Sequence, residues 1–317
     1  MENKKVKGFR ICSFNCNGIN DFKKRKDIFE YLRNKDANIF FLQETHLPLK
    51  QENFIRSNWG YSVWLAGSDT NRNGVAILFN NNFEYKVHKV LRDDDGHFLL
   101  LDIEFLHKRI TLANIYGPSA GDNPDFLKLL GTKLEEIGND KVIMGGDWNV
   151  VLNHQLDTRS YSAPGRPKAR RAILDLMEKY DLIDVFRTLY PTQRKYTWRK
   201  FNSIKQGRLD YFLISDQLLS EISGTSIGES YRSDHSVIDL TLKKQANKRD
   251  RQFWKFNNSL LKDKHYIEKI KDVILELKKD YALPVYNFDN INEIPNDMLQ
   301  FSISDQLFFR NDFVEDS

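Results

Sequence analysis

Short apolar runs of strand length recur along this chain, and five of them end in polar or charged residues. Runs of this length, several with alternating apolar and polar positions, predict β-strands rather than helices. Turn-forming breaks such as Asn80-Asn81-Asn82 and Asp93-Asp94-Asp95-Gly96 separate some of the strands. Because only a few helical segments fall between the groups of strands, we predict two sheets packed face to face with helices outside.

The predicted elements extend from residue 9 to residue 242, where the strand pattern stops. We expect strands at about 9–16, 37–42, 61–66, 74–80, 85–91, 97–105, 109–116, 141–146, 195–200, 209–214 and 235–242, and helices at about 22–35, 124–137 and 168–180.

The composition changes after Leu242, which predicts a division of the chain into segments. Residues 8–243 form the expected main domain, and the polar residues 244–252 are typical of a linker. Apolar residues at helical spacing predict a helical connector over 253–280. Residues 281–317 are acidic and show no clear period.

The composition excludes several classes of protein. The 317 residues are 40% hydrophobic, enough for a substantial core. No apolar run approaches the roughly 18 residues that span a bilayer, and the N-terminus lacks the apolar stretch of a secretory signal. Cys12 and Cys16 lie on one face of a predicted strand, where a disulfide would be strained. We therefore expect an intracellular protein with two reduced thiols.

The net charge of +4 conceals an uneven distribution. Residues 281–317 carry a net charge of −6, so the rest of the chain carries +10. Much of this excess falls in two loops, which favours a polyanionic partner, although a solvated loop surface is the simpler alternative. The basic residues of these loops are Arg159, Arg166, Lys168, Arg170 and Arg171, then Arg194, Lys195, Arg199, Lys200, Lys205 and Arg208.

Glu44 follows the apolar run Ile39-Phe40-Phe41-Leu42, and therefore stands at the end of a buried strand. A carboxylate there needs a partner, because an unpaired buried charge is costly. A hard divalent cation is one such partner, and the absence of a dense acidic cage favours Mg²⁺ over Ca²⁺. A salt bridge at the strand end is the alternative.

Asp147 and Asn149 stand at the end of the strand that leads into Gly145-Gly146-Asp147-Trp148-Asn149. The glycines predict a close approach of the backbone to a substrate. Asp147 is suited to orienting or deprotonating an attacking water, and Asn149 to donating a hydrogen bond to a phosphoryl oxygen. An Asx turn that closes the strand explains the same residues without a function.

His235 lies in Ser233-Asp234-His235-Ser236, just before an alternating apolar strand. An imidazole next to a reacting phosphate donates a hydrogen bond or supplies a positive charge, and a carboxylate would fix its tautomer and raise its pKa. Adjacent residues of an extended strand face opposite ways, so that carboxylate is either Asp234 or a more distant residue such as Asp102 or Glu44. A structural histidine is the alternative.

Three more polar residues stand at strand ends: Asn15, Tyr116, and Asp210 in Arg208-Leu209-Asp210-Tyr211. Cleavage of a phosphate ester requires a metal, a base and a charge stabiliser at one phosphorus atom. The whole set of strand-end residues predicts that chemistry.

These segments together resemble the endonuclease/exonuclease/phosphatase superfamily, which includes DNase I, exonuclease III and the abasic-site endonucleases. The resemblance covers about residues 8–243. It implies a DNase I-like four-layered α/β sandwich, in which two mainly antiparallel sheets are flanked by helices. It also implies hydrolysis of phosphodiesters with Mg²⁺, with Mn²⁺ as the alternative metal.

The resemblance further implies roles for individual residues. Glu44 resembles the metal ligand, with Asn15 beside it, and Asp147 resembles the water-activating aspartate. The other matched residues are Asn149 as the companion of Asp147, Tyr116 as the phosphate-contacting tyrosine, Asp210 as an aspartate that orients the metal or the site, His235 as the phosphate-binding histidine, Asp234 as its support, and Thr197 as a threonine near the DNA backbone.

Within the superfamily, the chain is most similar to the endonuclease of non-LTR (long interspersed) retrotransposons. The similarity includes Gln43-Glu44-Thr45-His46, Asn114-Ile115-Tyr116 and a segment starting at Trp254 that resembles the connector to a reverse transcriptase. No reverse-transcriptase motif follows, so we expect a truncated product or a fragment. Contact with element RNA would need downstream domains that are absent here.

The resemblance therefore predicts a DNA endonuclease that nicks one strand of double-stranded DNA and has no membrane partner. We expect it to act in the nucleus, with the cytoplasm as the alternative location. Three other functions remain open at this point: a host abasic-site endonuclease, a phosphatase of the same fold, and an inactive copy that only binds nucleic acid.

Overall fold

A computed structural model describes most of the predicted main domain. The chain divides into two compact units, Met1–Asn247 and Lys248–Ser317. The predicted linker 244–252 and acidic segment 281–317 lie outside the described residues, and the described part of 253–280 is helical. The described residues are 9–69, 72–81, 83–105, 107–160, 166–243, 264–265, 267–269, 271–272 and 275.

Two six-stranded sheets form the centre of the first unit. The first sheet contains, in spatial order, β14 (Ile222–Ser230), β15 (Ser236–Leu242), β1 (Phe9–Asn15), β2 (Ile39–Gln43), β4 (Val75–Phe79) and β3 (Val63–Ala66). The second contains β10 (Leu182–Asp184), β13 (Asp210–Ser215), β8 (Val142–Asp147), β7 (Lys108–Tyr116), β6 (Phe98–Phe105) and β5 (Lys86–Arg92).

The neighbouring strands of these sheets are antiparallel except for two parallel pairs, β1–β2 and β7–β8. A small third sheet contains β11 (Trp198–Arg199), β12 (Gln206–Gly207) and β9 (Thr158–Arg159).

The helices flank the two large sheets. They are α1 (Phe22–Arg33), α2 (Glu52–Trp59), α3 (Asp125–Ile137), α4 (His154–Asp157), α5 (Pro167–Lys179) and α6 (Val185–Leu189), with 3₁₀ turns at Leu49–Gln51 and Asp216–Glu221. No helix in the described part of the chain is long and apolar enough to cross a membrane.

Three apolar clusters separate the layers, because strands buried on both faces send alternate side chains to opposite sides. In β1, Ile11 belongs to the cluster between the sheets, whereas Cys12 and Phe14 pack in the cluster that includes α1 and α2. The third cluster joins the outer face of the second sheet to α3 and α5. The predicted four-layered α/β sandwich is confirmed.

Loop 117–124 is tied to the start of α5 by Asp122. Its carboxylate accepts hydrogen bonds from the backbone N–H groups of Lys168 (3.0 Å) and Ala169 (2.8 Å). Lys168, Arg170 and Arg171 place positive charge in the first turn of α5, where the helix dipole disfavours it, and Asp122 supplies a negative charge there. This contact fixes the start of α5 beside the loop that follows β7.

The sequence did not predict α2, β10 or β14. Strand β14 reads Ile-Ser-Gly-Thr-Ser-Ile-Gly-Glu-Ser and lies at the edge of its sheet with several exposed residues. Ser and Gly lower strand propensity, and a half-exposed edge strand lacks a continuous apolar run. Its pairing with β15, not its own composition, makes it a strand.

Candidate active site

Strand register brings three of the predicted residues side by side on the second sheet. Asp147, at the end of β8, is paired with Tyr116 on β7 and with Asp210 on β13. Neighbouring strands are about 4.8 Å apart, so backbone pairing alone places these side chains within reach of one another. The strand-end residues of the sequence therefore converge because their strands are adjacent and in register.

The first sheet contributes the other residues, and Asn15 links the two sets. The Asn15 side-chain nitrogen donates hydrogen bonds to Glu44 Oε1 (3.0 Å) and Asp147 Oδ2 (2.9 Å). Its oxygen accepts from the backbone N–H of Asn17 (3.0 Å). We predicted a metal-side role for Asn15, but the structure directs its donor nitrogen toward the carboxylates, so it bridges them.

Glu44 lies at the mouth of the site with a left-handed backbone (φ 49°). Its Oε1 accepts a second hydrogen bond from the Tyr116 hydroxyl (2.7 Å). Burial, together with the negative charge of Glu44, raises the pKa of Tyr116 well above its usual value, so the phenol stays protonated and donates. Among the described residues, the hydrogen bonds to the Glu44 carboxylate reach Oε1, whereas Oε2 lies 4.0 Å from His46 Nε2. The Glu44 side chain lines the cavity.

His235 lies between two aspartates. Its Nδ1 is 2.8 Å from Asp210 Oδ2, and its Nε2 is 3.7 Å from Asp147 Oδ2. Burial alone lowers the pKa of His235, but the charges of Asp210 and Asp147 and the hydrogen bond to Asp210 outweigh it and raise the pKa to about 10. The raised pKa favours the imidazolium form, in which Nδ1–H donates to Asp210, while Nε2–H faces Asp147 at 3.7 Å without a direct hydrogen bond.

Asp147 is fully buried, and its burial affects the pKa of its carboxyl group. Burial raises its pKa to about 7, while the charge of His235 opposes this shift and Asp210 adds to it. A carboxylate that titrates near neutral pH is suited to accept a proton during a reaction. The geometry and the pKa of Asp147 thus agree with its predicted role as a base.

The carboxylate that orients His235 is Asp210, and the prediction of Asp234 as its support is wrong. Asp234 Oδ2 instead accepts a hydrogen bond from Trp198 Nε1 (2.8 Å), because adjacent residues of an extended segment face opposite ways. Asp102, another carboxylate considered for this role, is paired with Arg109. The third, Glu44, is bound to Asn15 and Tyr116.

Asn149 has a left-handed backbone (φ 53°) and lines the cavity. Its backbone N–H donates to Asp147 Oδ1 (3.0 Å), and its side-chain nitrogen donates to the Gly117 carbonyl (2.9 Å). The turn that we gave as the alternative explanation is therefore present, and it orients Asp147 and Asn149 in the cavity. One N–H of the Asn149 side chain donates to Gly117, and the second N–H of the same NH₂ group is a further donor.

Gly145 and Gly146 are required by sheet packing. A Cβ on Gly146 (φ 148°) would lie 1.9 Å from the Ile115 carbonyl oxygen, and one on Gly145 would lie 2.3 Å from the Phe212 ring. The glycines thus allow β8 to pass between its neighbours. The close approach that the structure shows is between β8 and its neighbouring strands, and the predicted approach to a substrate stays a prediction.

Arg208 is a structural residue, and its predicted contact with DNA is wrong. Its side chain is 1% exposed and forms ion pairs with Asp157 (2.8 Å) and Asp184 (2.6 Å). Arg187 also pairs with Asp157. Two arginines and two aspartates therefore neutralise one another behind the strand that carries Asp210, and Arg208 cannot reach a phosphate.

Thr197 is also buried, so its predicted position near the DNA backbone is wrong. Its hydroxyl accepts hydrogen bonds from the backbone N–H groups of Leu209 and Asp210, both at 3.0 Å. These bonds fix the start of β13, and Asp210 in turn orients His235. Thr197 and Arg208 therefore act on the site by positioning Asp210.

The side chains surround a cavity of about 270 Å³. One wall is apolar and consists of Val151, Trp198 and Leu209. Arg166 lines the cavity too, and its guanidinium donates to the carbonyls of Pro118 (2.8 Å) and Asn149 (2.7 Å) as well as Ser119. The remaining lining residues are Asn17, Glu44, Ser119, Asn149, Asp234 and His235.

The other basic residues predicted to bind DNA are exposed: Arg159, Lys168, Arg170 and Arg171. The Arg170 Nε atom donates to the Leu152 carbonyl (2.8 Å), and Arg171 pairs with Asp175 (2.8 Å). Residues 161–165, between Arg159 and Arg166, lie outside the described residues. We call Arg159, Lys168 and Arg171 the basic rim.

Sequence reasoning missed the hairpin that connects β11 to β12. Phe201 is 84% exposed and Ile204 is 72% exposed in its loop. Trp198 at the base of the hairpin pairs with His235, which places β11 next to His235. The signal was the presence of two large apolar residues between Lys200 and Lys205, which a purely solvated loop does not need.

The donor set fits a hard divalent cation. The nearest ligand atoms of Asp147, Asp210 and His235 lie within 4.8 Å of one another, but His235 is already paired with both aspartates. Glu44 keeps a carboxylate oxygen toward the cavity, as Mg²⁺ requires when it binds through one or two carboxylates and substrate oxygens. We therefore favour Glu44, with Asp147 nearby, as the protein side of a metal site.

The endonuclease/exonuclease/phosphatase family model matches residues 12–235. The chain is 27% identical over 267 residues to the transposon TX1 uncharacterized 149 kDa protein of Xenopus laevis, a match that covers 83% of this chain and 20% of that protein. It is 24% identical over 261 residues to an exodeoxyribonuclease of Bacillus subtilis, covering 74% of this chain and 99% of the relative.

Solved structures of AP endonucleases share the fold. The AP endonuclease LMAP of Leishmania major has a TM-score of 0.65 at 17% identity, covering 75% of this chain and 88% of that one. The APE2 catalytic domain of Xenopus laevis has a TM-score of 0.60 at 22% identity, with 74% and 92% covered. The chain spans about a fifth of the length of the transposon protein.

Proposed function

The chain belongs to the endonuclease/exonuclease/phosphatase family, and we propose that it is a Mg²⁺-dependent DNA endonuclease that nicks one strand. Its nuclease relatives support a hydrolase that acts on nucleic acid. The observation that carries the proposal is the Asp210–His235–Asp147 arrangement beside Asn149 and Glu44 in one cavity.

The residues suit an in-line attack of water on a phosphodiester. Asp147 accepts a proton from the attacking water, and the new P–O bond forms as the bond to the 3′ oxygen of the leaving nucleotide breaks. This leaves a 5′-phosphate and a 3′-hydroxyl. His235 and Asn149 donate hydrogen bonds to the charge that develops on the phosphoryl oxygens, a contribution that is large inside a buried site.

Other residues hold this machinery in place. Tyr116 and Asn15 fix Glu44, and Asp210 keeps the His235 ring in one orientation and charge state. A divalent cation bound at Glu44 would neutralise phosphate charge and assist the leaving oxygen. The buried hydrogen bonds restrict each side chain to one geometry, so the site is prepared before substrate arrives.

Double-stranded DNA fits the surface around the cavity. The basic rim would contact backbone phosphates, which supply most of the sequence-independent affinity of DNA-binding proteins. Phe201 and Ile204 are exposed in the loop of the hairpin whose strand β11 contains Trp198, a residue of the cavity lining. We propose that the hairpin loop contacts the duplex next to the reacting phosphate.

The similarity to a transposon protein favours target-site nicking, as in a long interspersed retrotransposon, over a housekeeping role. An enzyme with that task would act in the nucleus. The sequence preference of the nicks tests this biological role, because target-site nicking requires cleavage at preferred sequences.

Cleavage at an abasic site is a second candidate function, and one observation favours it. The apolar wall of Val151, Trp198 and Leu209 adjoins His235 and would accept a sugar that carries no base. A nucleotide with its base would need to be rotated out of the stack to reach the same place, at a cost of a few kcal/mol.

Both candidates are tested by incubating supercoiled plasmid with the protein and Mg²⁺, then sequencing the nicks. We expect open circles whose nicks are resealed by DNA ligase, as 5′-phosphate and 3′-hydroxyl ends require. A parallel arm uses one duplex with and without a single abasic site. Preference for the abasic duplex would favour the second candidate, and release of phosphate from inositol phosphates without nicking would contradict both.

A further inference from the structure

Two phenylalanines outside the cavity expose their rings on neighbouring helices. Phe22, on the first turn of α1, is 66% exposed, and Phe54 on α2 is 51% exposed. Single exposed apolar side chains are ordinary on protein surfaces. These two differ because a third residue holds them in a fixed arrangement.

That residue is Arg25, whose guanidinium lies between the two rings. Its carbon is 5.7 Å from the centroid of the Phe22 ring and 5.1 Å from that of Phe54. The arginine is only 4% exposed, and Nη1 donates to the carbonyls of Ile19 (3.0 Å) and Asn20 (2.8 Å). We call Phe22, Arg25 and Phe54 the aromatic platform.

The surroundings of the aromatic platform are basic. Lys23 and Lys26 are exposed on α1, and Lys26 lies one helical turn beyond Phe22, on the same side of the helix. Asp21 is the exposed acidic residue next to Phe22, and its carboxylate caps α1 by accepting a hydrogen bond from the Lys24 N–H. Within α1, Asp27 is paired with Arg232, and Glu30 lies two turns beyond Phe22. The phosphate backbone of a nucleic acid would therefore meet the positive charges of Lys23 and Lys26 beside the two rings.

The platform is also continuous with the catalytic cavity. Lys24 donates a hydrogen bond from its ammonium group to the carbonyl of Asn17, and Asn17 lines the cavity. The loop between β1 and α1 thus connects the reacting phosphate to Phe22 within a few residues. The platform therefore begins five residues along the chain from a residue that lines the cavity.

We propose that the aromatic platform binds unpaired bases of the DNA strand next to the cleavage site, with Lys23 and Lys26 pairing with its phosphates. Bases inside a duplex are stacked and hide their faces, so rings such as Phe22 and Phe54 engage bases only where the strand is unpaired. This inference rests on the proposed action on DNA, and it adds a preference for a duplex that carries a single-stranded region.

The test measures affinity by fluorescence anisotropy in EDTA, so that no cleavage occurs. The probes are a blunt 20-base-pair duplex and the same duplex with a 12-nucleotide thymidine tail on either the 3′ or the 5′ end. We expect one tailed probe to bind about tenfold more tightly than the blunt one, on the scale of stacking one base on an aromatic ring.

Substitutions distinguish stacking from simple apolar contact. Phe22→Leu/Phe54→Leu keeps apolar surface but removes the aromatic faces, and we expect it to reduce the preference for the tail to within about twofold. Phe22→Trp/Phe54→Trp should preserve the preference. Leu129→Ala, an exposed leucine on α3, is the matched control and should leave it intact.

Two outcomes overturn the inference: neither tail raises the affinity, or the leucine variant keeps the full preference for it. A surface that serves a protein partner gives the first of these results. The plasmid assay on the wild-type protein is separate, so absence of nicking with a retained tail preference contradicts the proposed function and leaves the platform standing.

Discussion

The floor of the cavity and the rim around it are built from different kinds of structure. The floor consists of the buried residues at strand ends, most of which are linked by hydrogen bonds across both sheets: Asn15, Tyr116, Asp147, Asp210 and His235. The basic rim and the hairpin loop are exposed. At the floor, backbone register fixes the position of each side chain. At the rim, the side chains are exposed, and even the ion pair of Arg171 with Asp175 (2.8 Å) lies at the surface.

Loss of a buried support beneath the floor should have the largest effect on the whole protein. We expect Arg208→Ala to lower the free energy of unfolding by about 3–5 kcal/mol, because buried Asp184 would lose its ion-pair partner and buried Asp157 would keep only Arg187. Urea denaturation at pH 7 measures this. Arg171→Ala, on the rim, is the control and should change the free energy of unfolding by less than about 0.5 kcal/mol. Equal losses in the two variants would contradict a difference in structural role between the buried support and the rim.

Removal of a floor side chain that faces the substrate should affect chemistry more than binding. We expect His235→Ala to cost about 3–4 kcal/mol of transition-state stabilisation, a loss of several hundredfold in turnover. DNA affinity should change little, because phosphate contacts elsewhere hold the duplex. Single-turnover nicking and a binding titration separate the two, with His88→Ala on the exposed strand β5 as the control. Near-normal turnover would make His235 a structural residue.

The charge of His235 at the floor should make the free energy of unfolding depend on pH. The pKa of His235 is raised to about 10 in the folded protein, so its ion pair with Asp210 stabilises the fold fully below about pH 6.5, and this contribution is lost as the pH rises toward about 10. The difference in unfolding free energy between the wild type and His235→Gln should therefore shrink over this range in EDTA. A difference that stays constant from pH 6 to pH 10 would show that no such ion pair exists.

Changes at the rim should give the smallest and least specific effects. Arg159→Ala/Lys168→Ala/Arg171→Ala should weaken binding to every duplex and flatten the salt dependence by about 0.9 log unit for each lost phosphate contact. The preferred nick sequence should stay nearly unchanged, because phosphate contacts position a protein without reading bases. Binding titrations at several salt concentrations measure this.

A triple variant with the same change in charge provides the control for the rim. Lys86, Lys133 and Lys243 lie toward the opposite ends of the sheets from the cavity, and replacing them with alanine should leave the salt slope intact. An unaltered slope in the rim variant would move the DNA-facing side elsewhere on the protein.

The sequence was informative for the floor because strand ends can be recognised from apolar runs. Asp147, Asp210 and Tyr116 converge in the structure as adjacent in-register strand residues. The fold class was predictable for the same reason. What periodicity did not show was the partner of each side chain, so Asp234 was taken for the residue that orients His235 when Asp210 does so.

The rim was harder to predict because charge in a sequence does not reveal burial. Arg208 and Arg159 both lie in basic loops, yet Arg208 is enclosed by two aspartates that are distant in sequence, and Arg159 is exposed. The platform formed by Phe22 and Phe54 joins two helices, one of which the sequence did not predict. Such features depend on tertiary packing and have no local signature.

The measurement that tests the central claim most directly compares nicking of supercoiled plasmid by the wild type and by Glu44→Ala, each with Mg²⁺ and with excess EDTA. We expect nicking only by the wild type with Mg²⁺, with the variant equally well folded by circular dichroism, since Glu44 lies at the cavity mouth and outside the apolar clusters. Full activity of the wild type in EDTA, or of Glu44→Ala with Mg²⁺, would contradict a metal-dependent nuclease site that includes Glu44 in this cavity.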